Sequence, residues 1–434
     1  MFIPMLRSIV REQALRVVDH KGCSHLVGDG TAVATIRLRA KWLEYRLALN
    51  PALALGEAYM EGLLVVEDGK LYEFLEVLAR NYGKLGTNPW LSLAERLGRG
   101  LKQANSFTRA RRNVAHHYDL SDQLYDIFLD RERQYSCAYF PEFDASLEMA
   151  QQRKMRHLAA KLLLKPGLKV LDIGSGWGGL ALYLARVTGA DVTGVTLSAE
   201  QHKFSETRAR ESGLAGQVRF LLCDYRAIAS SFDRIVSVGM FEHVGKRSYR
   251  EFFTKVNQLL TEDGIAVLHS IGYSDAPAPI NPFIRKYIFP GADLPSLSEV
   301  FRVVEKSGLF VTDLEILRLH YALTLRHWRQ RLARRRDEIV RLYDERFYRM
   351  WEFYFVLCEI GFRYRTNMVF QMQMAKGIDT VPITRDYIFQ WENDHRGLTA
   401  LPLRRSDRGR KGRALQNLGA LWPVDCSNVQ RGRK

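Results

Sequence analysis

The chain has 434 residues, of which 47% are hydrophobic and 26% are charged, and it carries a formal net charge of +16. This composition excludes an intrinsically disordered protein, predicts two or three domains, and suggests an anionic partner such as a lipid surface or a polyanion. No run reaches the roughly 18 to 20 apolar residues of a membrane span, and the five cysteines lack the spacing of a zinc or disulfide site. We therefore expect a cytoplasmic protein.

The first part of the chain, residues 1–95, predicts a small α+β domain. Alternating apolar and polar residues over 32–39 are typical of a strand, and the apolar spacing over 71–82 indicates a helix. The basic, polar residues 96–115 are interpreted as a linker. A second basic stretch, residues 396–434, lacks apolar periodicity and predicts a disordered tail.

Between linker and tail, residues 116–395 predict an α/β domain with a Rossmann-like sheet. Five apolar runs alternate with helical segments, which is the pattern of a parallel sheet covered on both faces. The predicted strands are 169–173, 191–195, 218–222, 232–238 and 264–271. Ligands of such sheets bind beyond the carboxyl ends of the strands, so the site is expected in the loops that follow them.

A glycine-rich turn follows the first predicted strand. Asp172 stands at the end of that strand, and Gly174, Gly176 and Gly178 come directly after it. These glycines let the backbone bend sharply and approach a ligand at the N-terminus of the next helix. Such a turn is typical of a site for a nicotinamide dinucleotide or for S-adenosylmethionine.

The residues after the second strand help to choose between these two cofactors. A nicotinamide site usually has an acidic residue at the tip of this strand, where it holds a ribose hydroxyl. Here the tip is followed by Thr196, Leu197, Ser198 and Gln201, whose hydroxyl and amide groups are expected to bind the sugar. The sequence therefore favours S-adenosylmethionine.

The remaining loops at this edge of the sheet supply further polar residues. Tyr225 and Arg226 follow the third strand, Glu242 follows the fourth, and His269 lies in the fifth with Ile271 close behind. A single histidine or glutamate at such a position is usually structural. Because the loops converge, however, a carboxylate and an imidazole together could orient an acid, a base or a small anion.

Cys137 lies in an aromatic segment upstream of the sheet. Nothing in the adjacent sequence indicates an activated thiol, so a small buried residue is favoured over a nucleophile. The rings of Tyr135, Tyr139 and Phe140 would suit a sulfonium or a carbocation, because aromatic faces attract positive charge. Residues 326–349 predict one amphipathic helix with its aromatic stripe in the core and a basic face that is interpreted as solvated.

Taken together, five separated motifs resemble the cyclopropane fatty acid synthase family, whose members include mycolic acid cyclopropane synthase-like enzymes. The motifs are YDLS at 118–121, YSCAY at 135–139, LDIGSGWG at 171–178, FEHVG at 241–245 and KYIFPG at 286–291. The resemblance covers about residues 50–395, including 320–325 after the sheet and late helices over 347–376. It implies an S-adenosylmethionine methyltransferase sheet with a smaller N-terminal α+β domain.

The resemblance also implies roles for individual residues. The implied cofactor contacts are Tyr135, Ser136, the turn from Gly174 to Gly178, the segment from Thr196 to Gln201, Tyr225 and Arg226. A bicarbonate ion is implied beside the reacting carbon, and its site corresponds to Cys137, Glu242, His269, Ile271 and Tyr321. For Cys137 and Ile271 the implied contact is through the backbone, which agrees with an unreactive thiol.

The activity implied by the resemblance is methyl transfer from S-adenosylmethionine to a cis double bond of an unsaturated phospholipid acyl chain. Bicarbonate then acts as the base while a cyclopropane ring closes. The expected partner is membrane phospholipid at the bilayer surface, with the enzyme bound peripherally to the inner face of the membrane and a homodimer left open. Three alternatives are a related lipid methyltransferase that makes methyl-branched or methylene fatty acids, a non-catalytic lipid-binding relative, and a nucleic-acid methyltransferase. No nucleic acid is expected, because no motif for a flipped base is present.

Overall fold

The structure is a computed structural model that describes residues 1–81 and 122–397. The predicted linker 96–115, the YDLS motif and all of the predicted tail beyond residue 397 lie outside the described residues. None of the described helices combines the length and the apolar content that crossing a bilayer requires.

Residues 1–81 contain four helices and four strands. In chain order they are α1 (Phe2–Ile9), β1 (Ala14–Val18), β2 (Ser24–Gly28), β3 (Ala32–Leu38), α2 (Lys41–Leu49), α3 (Pro51–Met60), β4 (Leu64–Asp68) and α4 (Leu71–Asn81). The strands form one sheet in the order β2-β1-β3-β4, in which β1 and β3 are parallel and the other pairs antiparallel. The strand predicted at 32–39 and the helix predicted at 71–82 are confirmed.

Residues 122–397 contain ten α-helices and seven strands. They are α5 (Asp122–Phe128), α6 (Leu147–Lys161), β5 (Lys169–Ile173), α7 (Gly179–Thr188), β6 (Asp191–Thr196), α8 (Ala199–Glu211), β7 (Val218–Leu222), β8 (Phe232–Val238), α9 (Tyr249–Leu259), β9 (Leu260–Tyr273), α10 (Leu297–Val304), β10 (Phe310–Ile316), α11 (His320–Arg334), α12 (Arg336–Leu342), α13 (Glu345–Tyr364), β11 (Asn367–Ala375) and α14 (Asp386–Asp394).

The seven strands form a second sheet, in the order β10-β11-β9-β8-β5-β6-β7. Strands β5 to β9 are parallel, and β10 is antiparallel to β11. All five predicted strands are present, and only β9 is much longer than predicted. The predicted α/β domain with a Rossmann-like sheet is thereby confirmed. Because the parallel strands point the same way, their carboxyl ends, with the predicted site residues, lie at one edge of the sheet.

The described residues form two compact units that differ from the predicted contiguous division. The first unit combines 1–81 with 273–296 and 318–368, and the second combines 122–272 with 297–317 and 369–397. In the first unit α13 packs against α3 and α4. Phe283 also packs against α3, where a Cβ added to Gly56 would lie 2.3 Å from its ring. Three separate stretches of sequence therefore complete the smaller α+β unit.

Two predictions about the later helices are wrong. The single amphipathic helix predicted over 326–349 is divided into α11, α12 and the start of α13. The Asp344 side chain sets the start of α13 by accepting a hydrogen bond from the Phe347 N–H at 2.6 Å. Residues 367–375, predicted among the late helices, form strand β11. The aromatic stripe is largely core as predicted, since Trp328 and Trp351 are buried.

Candidate active site

The glycine turn after β5 packs tightly against the loop after β8. Gly174 has a φ of +84°, and a Cβ added there would lie 2.8 Å from the Cβ of Met240. The Gly174 and Ser175 N–H groups both donate to the Val195 carbonyl at 3.0 Å, which holds the turn against the end of β6. Gly178, with a φ of +79°, is the N-cap of α7. Glycine is required at these positions by backbone angle and by close approach.

The predicted sugar-binding residues after β6 are held in place by one another. The Thr196 hydroxyl donates to Gln201 Oε1 at 2.8 Å and accepts from the Ser198 N–H at 3.2 Å. The Ser198 hydroxyl accepts from the Gln201 N–H at 3.3 Å and so caps α8. Leu197, between them, is half-buried. The segment is therefore a preformed polar loop at the carboxyl end of the sheet.

A buried lysine that the sequence prediction missed holds the segment containing Tyr135 and Ser136. The Lys154 ammonium, on α6, donates to Gln134 Oε1 at 2.5 Å and to Ser136 Oγ at 2.8 Å. From the preceding turn of α6, Gln151 donates to the carbonyls of Gln134 and Ser136 at 3.2 and 3.0 Å. The segment is thus fixed through both its side chains and its backbone.

The neighbours of Ser136 are also consistent with a site. The Tyr135 ring lies edge-on to Tyr125, with ring centroids 5.7 Å apart, and Cys137 is buried with its thiol directed to the Ala138 carbonyl at 3.3 Å. A Cβ on Gly239, in the loop after β8, would lie 3.8 Å from the Cβ of Ser136. The aromatic segment therefore meets the loop that leads to Glu242.

Two ionisable residues, Lys154 and Asp172, are buried close to each other in this region. Burial lowers the pKa of Lys154 to about 8, although nearby Asp130, Cys137 and Asp172 oppose that shift. Burial raises the pKa of Asp172 to about 7, and Lys154 opposes that shift. Asp172 Oδ2 is buried and has no hydrogen-bond partner among the described residues. Such an orphaned acceptor fits a site that receives a ligand with donor groups, as S-adenosylmethionine has.

One carboxylate oxygen of Glu242 accepts a hydrogen bond, and the other has no hydrogen-bond partner among the described residues. Glu242 lies in the helical turn Phe241–His243 after β8, where stacking of Phe241 on Tyr249 anchors the turn, with ring centroids 4.4 Å apart. Its Oε1 accepts from the Ile271 N–H at 2.7 Å, whereas Oε2 is buried and has no hydrogen-bond partner in the described part of the chain. Burial raises the pKa of Glu242 to about 7, so the carboxyl can exchange a proton near neutral pH.

His269 lies on β9, two residues before Ile271, and is only 2% exposed. Its Nδ1 is 3.2 Å from the side-chain amide nitrogen of Gln371 on β11, and its carbonyl accepts from the Gly239 N–H at 2.9 Å. Burial, with help from the positive charges of Lys154, Lys161 and His157, holds the pKa of His269 well below its usual range. The imidazole is therefore neutral in the pH range of a cell.

The other predicted residues have quite different surroundings. Arg226 forms two hydrogen bonds with Asp224, at 2.9 and 2.7 Å, and the Tyr225 ring is buried edge-on to Phe252 at 5.6 Å. Tyr321, on α11, belongs to the first unit, where its ring packs against Phe362 at 4.7 Å.

Within the second unit, the structure brings the glycine turn, Ser136, the Glu242 turn and the end of β9 together. Reasoning from sequence missed Lys154 and Gln371. Lys154 had a possible signal, because Leu147, Ala150, Gln151, Lys154 and Leu158 share a helical face that is buried.

Comparisons with known proteins identify the family. The model of the mycolic acid cyclopropane synthetase family matches residues 105–372. The cyclopropane-fatty-acyl-phospholipid synthase of Escherichia coli strain K12 is 38% identical over 351 residues, which cover 81% of this chain and 90% of the relative. A tuberculostearic acid methyltransferase of Mycobacterium tuberculosis is 35% identical, covering 86% of this chain and 90% of the relative.

Solved structures agree with these relatives. The crystal structure of a mycolic acid cyclopropane synthase complexed with SAH and CTAB has 34% sequence identity and a TM-score of 0.59, and it covers 61% of this chain and 98% of that chain. The predicted family and the prediction of an S-adenosylmethionine-dependent methyltransferase are thereby confirmed. The chain belongs to the mycolic acid cyclopropane synthetase family.

Proposed function

We propose that the protein transfers the methyl group of S-adenosylmethionine to the cis double bond of an unsaturated phospholipid acyl chain and closes a cyclopropane ring. The observation that carries this proposal is the placement of two buried groups, Glu242 and His269, at the same end of β9. Glu242 offers a buried acceptor oxygen, and His269 offers a neutral imidazole two residues from the backbone N–H that holds Glu242. A water-poor pair of this kind suits a reaction that passes through a carbocation.

The cofactor, when bound, supplies an electrophilic methyl group on a sulfonium. Asp172, the glycine turn and the polar loop from Thr196 to Gln201 would hold its polar parts. The Tyr135 ring would favour positive charge beside it without capturing the cation. Two observations support these assignments: Asp172 Oδ2 is buried and has no hydrogen-bond partner among the described residues, and Lys154 fixes the segment that carries Tyr135.

Bicarbonate is proposed as the base, held by Glu242 and His269 with backbone groups of Cys137 and Ile271. Its weakly nucleophilic oxygen would accept a proton from the added methyl group. In this structure the Ile271 N–H donates to Glu242, so Ile271 would act on the ion by fixing the carboxylate that orients it. The role of Tyr321 rests on the resemblance alone.

The test is mass spectrometry of total fatty acids from cells that express the protein or its Glu242→Gln variant. We expect unsaturated chains to gain one CH2 and lose the double bond with the intact protein, and the yield to fall by about 10²- to 10⁴-fold in the variant. Glu262→Gln is the matched control, since the Glu262 side chain is 89% exposed. A methyl-branched or methylene product would instead support the alternative activity, which the tuberculostearic acid methyltransferase relative keeps open. No lipid change at all would refute both.

For a phospholipid substrate, the protein must also dock on a bilayer, and we propose that helix α2 contributes. Trp42, Tyr45 and Leu49 follow one another at intervals of three and four residues, so they share a helical face, and they are 48%, 47% and 74% exposed. Lys41 and Arg46 are both exposed beside this face. Because Arg46 forms an ion pair with Glu57 at 2.6 Å, Lys41 is the basic residue that would attract anionic headgroups. An apolar face with aromatic residues and basic flanks is typical of helices that lie in a membrane interface.

Docking is tested by sedimentation with vesicles that contain phosphatidylglycerol. The triple variant Trp42→Ala, Tyr45→Ala and Leu49→Ala should bind vesicles at least about tenfold more weakly, because burial of these side chains contributes more than 1.4 kcal/mol. Phe389→Ala removes another exposed aromatic side chain and should leave binding unchanged. If the triple variant instead converts a dimer into a monomer and still binds vesicles, the face is a subunit interface.

A further inference from the structure

The neutral imidazole of His269 carries one proton, and which nitrogen holds it decides what the ring can do. With the proton on Nε2, that nitrogen donates a hydrogen bond and Nδ1 accepts one. With the proton on Nδ1, the roles are reversed. A residue that bonds to only one of the two nitrogens can therefore set the function of the other.

Gln371 is placed to make this choice. It lies on β11, the strand adjacent to β9, and it is fully buried. Its amide nitrogen is 3.2 Å from His269 Nδ1, and in this orientation of the amide the nitrogen donates and Nδ1 accepts. The amide oxygen of Gln371 is buried and has no hydrogen-bond partner among the residues described, so the contact with His269 is the one described hydrogen bond of this side chain.

The surrounding charges keep the ring neutral, which makes the choice of nitrogen decisive. Burial and the nearby cations Lys154, Lys161 and His157 lower the pKa of His269, and Glu315 opposes them. The ring has little room to turn, because His269 and Gln371 are at most 2% exposed.

We propose that Gln371 is a positioning residue that locks His269 in the tautomer with its proton on Nε2, so that this nitrogen donates a hydrogen bond into the site beside Glu242. Donation to an anion or to another acceptor would then need no proton transfer from the ring. The catalytic consequence of this lock rests on the proposed function, whereas the tautomer itself does not.

The test is ¹⁵N NMR of the full chain with labelled histidine, in which protonated and unprotonated ring nitrogens have well-separated shifts. His269→Gln identifies the signals of His269 by their loss. We expect the native protein to show a protonated Nε2 and an unprotonated Nδ1. Gln371→Met, which removes the donor, should give a mixture of both tautomers. Gln371→Glu, measured at a pH where the introduced carboxyl is ionised, should move the proton to Nδ1, because a carboxylate only accepts.

Gln373 provides a matched control on the same strand. It is equally buried, but its amide donates to the Lys161 carbonyl and to the Tyr387 hydroxyl, at 2.5 and 2.7 Å. Gln373→Met should therefore lower stability and leave the His269 shifts unchanged. A protonated Nδ1 in the native protein, or a tautomer that is the same in all Gln371 variants, would overturn the proposal.

Activity is measured separately on the same variants. Gln371→Met should lower kcat by about 10- to 100-fold at an unchanged KM for S-adenosylmethionine, as is usual for residues that orient a functional histidine. An altered tautomer with unchanged kcat would overturn the catalytic part of the proposal. If the native protein modifies no lipid, the proposed function fails, but the NMR result still decides the tautomer.

Discussion

Two lysines on helix α6, Lys154 and Lys161, are equally buried and lie two turns apart, yet their surroundings are opposite. Lys154 donates to neutral oxygens, those of Gln134 and Ser136. Lys161 is paired with two carboxylates, Asp313 at 3.2 Å and Glu315 at 2.6 Å. Two lysines that are equally buried can therefore have different roles, and the charge of their hydrogen-bond partners determines which role each one has.

His157, which lies between them on α6, belongs to the Lys161 side. It bonds to Glu315 at 2.6 Å and to Glu392 at 3.0 Å, and these carboxylates raise its pKa against the effect of burial. The same network holds the pKa of Glu315 far below its usual range. One end of α6 thus serves to join β10 and α14 to the core, whereas the other orients the segment of the candidate site.

The largest effect is expected from Lys161→Met. It leaves Asp313 and the mostly buried Glu315 without their buried cation, so the free energy of unfolding should fall by about 3–5 kcal/mol. Urea unfolding at pH 7 measures this. Arg385→Met is the control, because Arg385 also pairs with Asp313 but is 53% exposed, and it should cost less than about 1 kcal/mol. Equal losses in the two variants would contradict the assigned role of Lys161.

A smaller loss is expected from Lys154→Met. The neutral oxygens of Gln134 and Ser136 lose a donor, which costs about 1–3 kcal/mol, while the cost of burying the ammonium is removed. The same urea experiment compares the two methionine variants directly. A loss greater than that of Lys161→Met would show that Asp172 depends on Lys154 as strongly as Asp313 and Glu315 depend on Lys161.

The smallest expected effect is a difference between Lys154 and His157 in how their contributions to the free energy of unfolding change with pH. Because folding lowers the pKa of Lys154 to about 8 from 10.5, the folded chain binds fewer protons between these values, and the contribution of Lys154 to stability should rise with pH there. His157 has a raised pKa, so its contribution is complete below 6.5 and is lost as pH rises through the folded value.

Unfolding free energies of the native protein, Lys154→Met and His157→Gln, measured from pH 5 to 10.5, test both signs. Each substitution should abolish only the part of the pH dependence of the unfolding free energy that comes from its own side chain. If both substitutions change the pH dependence of the unfolding free energy in the same way, the two ends of α6 titrate as one network.

The sequence was sufficient for the parallel sheet and for most of the proposed site. Strands β5 to β9 are apolar runs that end in polar or glycine-rich loops, and such local patterns depend little on distant partners. Glu242 and His269 were recognisable because they follow strands whose carboxyl ends must meet.

The sequence was not sufficient where a residue's role depends on a distant strand. Strand β11 follows α13 after two residues, and Gln371 and Gln373 interrupt its apolar run, so the sequence of this segment does not stand out as a strand. The bonds of these glutamines to His269 and to the Lys161 carbonyl join residues 102 and 212 positions apart. No local period in the sequence carries that information.

The composition of the first unit has a consequence for synthesis on the ribosome. The Tyr59 hydroxyl on α3 donates to Glu352 on α13, 293 residues later. At about 5–20 residues per second, α3 and α4 must wait roughly 15 to 60 s for the helix that covers them. During that interval their apolar faces are available to chaperones, so a nascent chain of this protein should be a chaperone client until its last third has emerged.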